Sequence, residues 1–289
     1  MPKPGAWFES LAFAPLPGPP EVTPADFGWR NWRDVYFPSR DGTELHGWLI
    51  IGAHRGPPKG LVVHAHGNAG NVGAQFIPAV EICLSSGWDV LMFDYRGFGL
   101  SRPGPLTRLT VVDDLAGALT LGCTTTPGKP LALLGHSMGG ATAALAVAER
   151  QIRDRIHGLC LIAAFADWNQ IFADVLKTNP LTRLLVFPVA YCFVPPWRRE
   201  PAEGLALWPA EKPLLLVHGE ADTIVPIHHL DLFLEALPAE VRSKAALLRL
   251  PQVGHNNIGA SPELGQEALR EAICNWLDRT AAASGAGGS

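Results

Sequence analysis

Charge is scarce in this chain. Asp, Glu, Lys and Arg make up only 17% of its 289 residues, against ~25% in an ordinary soluble domain. The formal net charge is -4, and no basic cluster exceeds the pair Arg198-Arg199. The cationic surface that a phosphate backbone requires is therefore missing, and no nucleic-acid partner is expected. Cysteine is scarce too. Cys83, Cys123, Cys160, Cys192 and Cys274 are odd in number, far apart and mostly set in apolar runs. No disulfide framework is indicated. With no Cys-x-x-Cys pair and no Cys/His cluster at ligand spacing, neither a metal nor a cofactor is expected. Free buried thiols suit a reducing compartment, so a cytoplasmic setting is expected.

Long uninterrupted hydrophobic runs are also lacking. The first twenty residues are broken by Pro2, Pro4, Pro15, Pro17, Pro19 and Pro20, and their one apolar stretch carries Glu9, which does not make the core of an export signal. The run from Pro130 to Ala148 holds no charged residue. Gly135, His136, Ser137, Gly139 and Gly140 at its centre divide it into a strand and a helix, and no stable membrane span is expected there. The run from Leu184 to Trp197 is shorter and is interrupted by Pro188, Pro195 and Pro196.

No internal repeat is evident either. Apolar segments of strand length alternate with amphipathic segments of helix length, the pattern of a parallel sheet covered by helices on both faces. Asp34 to Phe37 and Leu45 to Ile51 flank the turn Ser39-Arg40-Asp41-Gly42 and predict an antiparallel hairpin at a sheet edge. Six buried parallel strands are predicted at Leu61 to Ala65, Val90 to Phe93, Leu131 to Leu134, Leu159 to Ala163, Leu214 to His218 and Ala245 to Leu250. The hairpin and these six make a mostly parallel sheet of eight strands, an α/β fold. Helices are predicted at Gln75 to Ser86, Arg108 to Leu121, Met138 to Arg150, Ile227 to Leu237 and Leu264 to Arg279, the last with Ser261-Pro262 as N-cap and first-turn proline. The core is thus expected over 34–164 and 209–280, after a Pro-rich segment at 1–33. The stretch 165–208 breaks the alternation and is rich in Trp, Phe and Pro, which predicts a small helical cap. The Ala/Gly/Ser tail 281–289 reads as flexible.

Gly135-His136-Ser137-Met138-Gly139 lies between a predicted strand and an Ala-rich predicted helix, the context in which G-x-S-x-G presents a nucleophile. A serine hydroxyl attacks a carbonyl only when a base takes its proton, so a histidine and an acid are required. His255 follows the last predicted strand and Asp222 the one before it, giving the chain order Ser, Asp, His. Asp167 and Glu220 are the rival acids. The oxyanion requires N–H donors: Met138 supplies one, and the loop His66-Gly67-Asn68-Ala69-Gly70 supplies the other through Asn68. Ala69, His136, Trp168 and Phe172 are the expected substrate contacts. His64, His66 and His218 have no carboxylate or thiol companion at ligand spacing, so His66 is expected to fix its loop rather than bind metal.

These motifs, with Leu45-His46-Gly47-Trp48, Asp94-Tyr95-Arg96-Gly97-Phe98-Gly99 and Gly254-His255-Asn256, resemble the α/β-hydrolase superfamily over most of the chain, in particular its serine-aminopeptidase-like and monoacylglycerol-lipase-like branch. The resemblance implies the α/β-hydrolase fold and a Ser137–His255–Asp222 triad. Esterases, thioesterases, lipases, amidases and peptidases share that machinery, so the substrate is set by the site and not by the fold. The expected activity is hydrolysis of a small-molecule carboxylic ester with a short or medium acyl chain, by an acyl-serine route. A thioesterase or protein depalmitoylase is the first alternative, a peptidase or amidase the second, and a catalytically silent apolar-ligand binder the alternative of another class.

Overall fold

A computed structural model describes residues 12–177 and 199–285 of the chain. One sheet of eight strands organises them: β1 (Trp32–Pro38), β2 (Glu44–Ile50), β3 (Leu61–Ala65), β4 (Asp89–Phe93), β5 (Leu131–His136), β6 (Gly158–Ile162), β7 (Leu214–Gly219) and β8 (Ala246–Leu250). Their spatial order is β1-β2-β4-β3-β5-β6-β7-β8. β2 is antiparallel to both neighbours, and every later pairing is parallel. The expected α/β-hydrolase architecture is therefore present, with the hairpin at one edge.

The central strands β3, β4, β5, β6 and β7 are buried at every position, as strands covered on both faces must be. Their side chains alternate into two apolar layers. On one face α2 (Arg108–Thr125) and α3 (Met138–Ala146) pack through Leu115, Leu119, Ala141 and Ala144 onto Val63, Leu133 and Leu161. On the other, α1 (Pro78–Ser85) and α9 (Gln266–Gly285) pack through Ile82, Leu269, Ile273 and Trp276 onto Val62, Leu134 and Val217. Complete burial of each such Leu, Ile or Val side chain stabilises the fold by roughly 1.5–3 kcal/mol.

Local chemistry moves several boundaries. β8 alternates exposed and half-buried positions instead of being apolar on both faces, because it is the sheet edge. Strand β6 stops before Ala163, whose φ of 48° cannot continue a ladder. The first helix begins at Pro78, three residues later than its apolar periodicity suggests, because a proline fits the first turn and not the second. The helix after Ser137 ends at Ala146, and a separate α4 (Arg150–Arg155) follows. Ser261-Pro262 opens only a 3-10 turn, Pro262–Leu264, which Gly265 at φ 80° terminates before α9 begins. α9 then runs through the Ala-rich stretch to Gly285, since alanine has the best helix propensity. α7 (His228–Ala236) is followed by α8 (Ala239–Lys244), which periodicity did not separate.

Of the expected cap, α5 (Trp168–Lys177) and α6 (Pro201–Leu205) are described. Its centre, 178–198, lies outside the described residues together with Cys192, as do 1–11 and 286–289. Among the described residues no helix is long and apolar enough to cross a membrane.

Candidate active site

The chain reverses direction across the sheet at β3: β4 lies on one side of it and β5 on the other. The loops leaving β3 and β5 therefore diverge, and a crevice opens between them at the carboxyl end of the sheet. The register pairs Ala65 with Gly135, so the loop of Asn68 and the turn of Ser137 leave the sheet at the same level.

Ser137 is the single residue between β5 and α3, with φ 53° and ψ -119°, a conformation that costs a non-glycine residue roughly 1–3 kcal/mol. Its N–H donates to the carbonyl of Ile162 (2.8 Å), and its own carbonyl accepts from Ala141 (3.1 Å). Close approach supplies the rest of the restraint. A Cβ on Gly139 would collide with the carbonyl oxygen of Ala65, and one on Gly135 would lie 2.6 Å from the Cα of Gly140. The glycines on either side of the serine are demanded by packing between helix and sheet.

The loops after β7 and β8 are tied together: Glu220 N–H donates to Leu250 (2.9 Å) and Ala221 N–H to Val253 (3.0 Å). This brings Asp222 to His255. Nδ1 of His255 lies 2.7 Å from Oδ2 of Asp222, and Nε2 lies 2.9 Å from Oγ of Ser137. The other carboxylate oxygen accepts from the N–H groups of Ile224 (2.9 Å) and Val225 (2.8 Å), which fixes its plane. An ionised carboxylate can only accept, so Nδ1 carries the ring proton and Nε2 turns its lone pair to the serine hydroxyl. All three residues are buried. The rival Asp167 accepts instead from Gln170 N–H (2.8 Å) at the start of α5, and Glu220 is exposed.

Met138 N–H lies in the first turn of α3, where helix N–H groups have no intrahelical partner. Neither it nor Asn68 N–H donates to any described residue. Two carboxamides shape the loop after β3. Oε1 of Gln75 accepts from Gly67 N–H (3.3 Å) and its Nε2 donates to the carbonyl of Ala69 (2.8 Å). The Asn68 side chain reaches the opposite way, to the backbone of Ala12 and Ala14. Neither Gln75 nor the segment from Ala12 was legible as part of the site, since a lone polar residue and an aperiodic stretch carry no spacing signal.

Two cavities meet at Asn68. One, of about 260 Å³, is lined by Ser137, Met138, Phe165, Trp168, Ile171 and Phe172, with Ala12, Ile224 and Val225 at its walls. The other, of about 300 Å³, is lined by His255, Asn256, His136, Ala69 and Gln75 and reaches Ile77, Ile258 and Leu269. The four expected substrate contacts are thus divided: Trp168 and Phe172 face the first cavity, Ala69 and His136 the second. Burial, with the nearby His255 ring, holds the His136 imidazole down to about 3, so it is neutral.

His66 Nδ1 contacts the Gly67 carbonyl (2.7 Å), and His218 Nε2 donates to Val225 (2.8 Å). Asp174, His228 and His229 come close enough together to hold an ion. Nδ1 of His229, however, accepts from Ala166 N–H (3.2 Å). A neutral ring then keeps its proton on Nε2, the atom facing Asp174, and has no lone pair there for a metal.

A serine in a strand-to-helix turn at the switch point, hydrogen-bonded to a histidine that meets a carboxylate, both on the loops after the last two strands, is the arrangement of an α/β-hydrolase. The chain belongs to the hydrolase family described as serine aminopeptidase, S33, which its residues 56–201 match. It is 30% identical over 248 residues to the uncharacterized protein YfhR of Escherichia coli O157:H7, covering 84% of this chain and 79% of that one. It is 28% identical over 271 residues to Rv2307c of Mycobacterium tuberculosis, covering 92% and 84%. Among solved structures, the esterase Pf2001 of Pyrococcus furiosus superposes with a TM-score of 0.71 at 22% identity, over 92% of this chain and 99% of that one. XC6422 of Xanthomonas campestris, described as an α/β serine hydrolase without lid, gives 0.58 at 19% identity, over 86% and 95%. At these identities the solved structures establish the fold alone.

Proposed function

We propose that this protein is a serine carboxylesterase acting on a small-molecule ester through an acyl-serine. The observation that carries the reading is the continuous hydrogen-bonded chain from Ser137 Oγ through His255 to Asp222. As Oγ bonds to the ester carbonyl carbon, its proton passes to Nε2 of His255, and Asp222 stabilises the imidazolium so formed. The N–H groups of Asn68 and Met138 face the developing oxyanion, which is usually the largest electrostatic contribution. Collapse breaks the bond from carbon to the alcohol oxygen, and Nε2 returns the proton to the departing alcohol. Water, activated by the same histidine, then releases the acid and restores Ser137. No cofactor enters this cycle.

The cavity at Ser137 takes the acyl group. Its 260 Å³ falls below the ~300–1,000 Å³ of sites for drug-sized ligands, which favours a short or medium chain. An aminopeptidase grips the α-ammonium of its substrate with a carboxylate. The described lining of both cavities consists of apolar, amide, imidazole and hydroxyl side chains, which favours an ester. The buried thiols Cys83 and Cys160 accord with a cytoplasmic setting.

A fluorophosphonate probe and a p-nitrophenyl ester series from acetyl to palmitoyl test the reading. Labelling is expected in the wild type and lost in Ser137→Ala and His255→Ala, with best turnover at short or medium chains. A folded wild type that stays unlabelled makes the protein a binder. Faster turnover of matched thioesters makes it a thioesterase.

A further inference from the structure

The segment Ala12–Gly18 runs from the wall of the cavity at Ser137, where Ala12 lies, past Gly70 to the loop after β4. Asn68 Oδ1 accepts from Ala14 N–H (2.8 Å), and Asn68 Nδ2 donates to the carbonyl of Ala12 (2.8 Å). A single carboxamide thus pairs with the backbone on both sides of residue 13, as a neighbouring strand would. Phe13 points the other way into the core, buried and 5.9 Å from the ring of Trp168, which lines the acyl cavity. The far end of the segment is fastened to the loop after β4: Gly99 N–H donates to Leu16 (2.9 Å) and Gly18 N–H to Gly99 (2.8 Å). Pro15 and Pro17 restrict the backbone between these anchors. Ala12 itself lines the cavity that holds Ser137.

We propose that Ala12–Gly18 is a strap belonging to the active site, with the Asn68 side chain as a positioning group for its own backbone N–H and Ala12 as a determinant of acyl-chain length. This rests on the esterase reading above. Asn68 precedes Ala69, which sits at φ 67°, a conformation an alanine does not hold unaided. A loop with such a residue needs external support to keep a donor aimed at one point. Gln75 supplies it on one flank. On the other, the carboxamide of Asn68 transfers the rigidity of the strap to the peptide that carries the donor. The same clamp sets the position of Ala12, and therefore how far an acyl chain can extend from Ser137.

The test uses the full chain and p-nitrophenyl acetate, butyrate, hexanoate and octanoate, with fluorophosphonate labelling and thermal denaturation alongside. Misplacing a catalytic group slightly costs up to about a hundredfold in rate. Asn68→Ala is accordingly expected to lower kcat by about tenfold or more with KM within about threefold. Asn68→Asp keeps the acceptor for Ala14 and loses the donor to Ala12, so its kcat is expected between those of wild type and Asn68→Ala. Ala12→Leu is expected to lower the octanoate-to-acetate ratio of kcat/KM by about tenfold or more, a methylene clash being worth that much in an apolar pocket. That ratio decides the matter if Asn68→Ala does not fold. An active, labelled wild type whose Asn68→Ala variant keeps kcat within about twofold, or whose Ala12→Leu variant keeps the chain-length ratio, overturns the strap while leaving the esterase standing. A folded wild type that neither turns over esters nor labels at Ser137 overturns both.

Discussion

Oδ2 of Asp222 lies 2.7 Å from Nδ1 of His255, while Oδ1 of Asp167 is engaged by the N–H of Gln170 at 2.8 Å. Two carboxylates that a sequence presents as alternatives are thus separated by what each one touches. Asp222→Asn places an amide beside Nδ1, favours the wrong tautomer and is expected to reduce kcat by about 10,000-fold. Asp167→Asn leaves an acceptor for Gln170 and is expected to stay within about threefold of wild type. Ester kinetics on both variants check this, and comparable losses would remove Asp222 from its role.

Gly139→Ala is expected to destabilise the fold. The added Cβ would meet the Ala65 carbonyl oxygen, part of β3 and unable to retreat without breaking its ladder. Overpacking of this kind costs about 1–3 kcal/mol or more. Urea denaturation of the variant measures it, and an unchanged midpoint would mean that the helix can move off the sheet.

Phe172→Ala should widen the cavity at Ser137 without touching the serine. Phe172 lines that cavity and is only partly buried. The chain-length optimum is expected to move towards longer esters, with octanoate gaining about tenfold over butyrate. An optimum that stays in place would remove α5 from the acyl wall.

Acid should unfold the protein through its buried imidazoles. His136 has its folded-state value depressed to about 3 by burial and by His255, against ~6.5 when unfolded. The unfolded state therefore binds the extra proton. Stability is complete above about 6.5 and falls towards pH 3, by up to ~1.4 kcal/mol per pH unit for this group. Burial shifts His64, His66 and His218 in the same direction. His136→Gln is expected to show a shallower loss of urea stability between pH 6 and 4 than wild type. Equal slopes would show that His136 takes up its proton without unfolding.

The order of the elements and the strand-to-helix turn at Ser137 were legible because both are local. Strand-length apolar runs, a small-residue helix and two glycines around Ser137 constrain only their own neighbourhood, and their spacing survives in one dimension. The chain order Ser137, Asp222, His255 was legible for a related reason, each following a strand that periodicity locates. Helix ends were less so, since Pro78, Gly265 and the turn after Ala146 act through capping geometry rather than periodicity.

The sequence by itself determined a mostly parallel α/β sheet and a serine set between strand and helix, because periodicity and steric demand are written along the chain. Only the tertiary structure decided what Asp167 touches instead of His255, how Gln75 and the segment from Ala12 hold the Asn68 loop, and that two cavities meet there. Those relationships join residues far apart in sequence through single hydrogen bonds and shared walls, and such contacts leave no period to read.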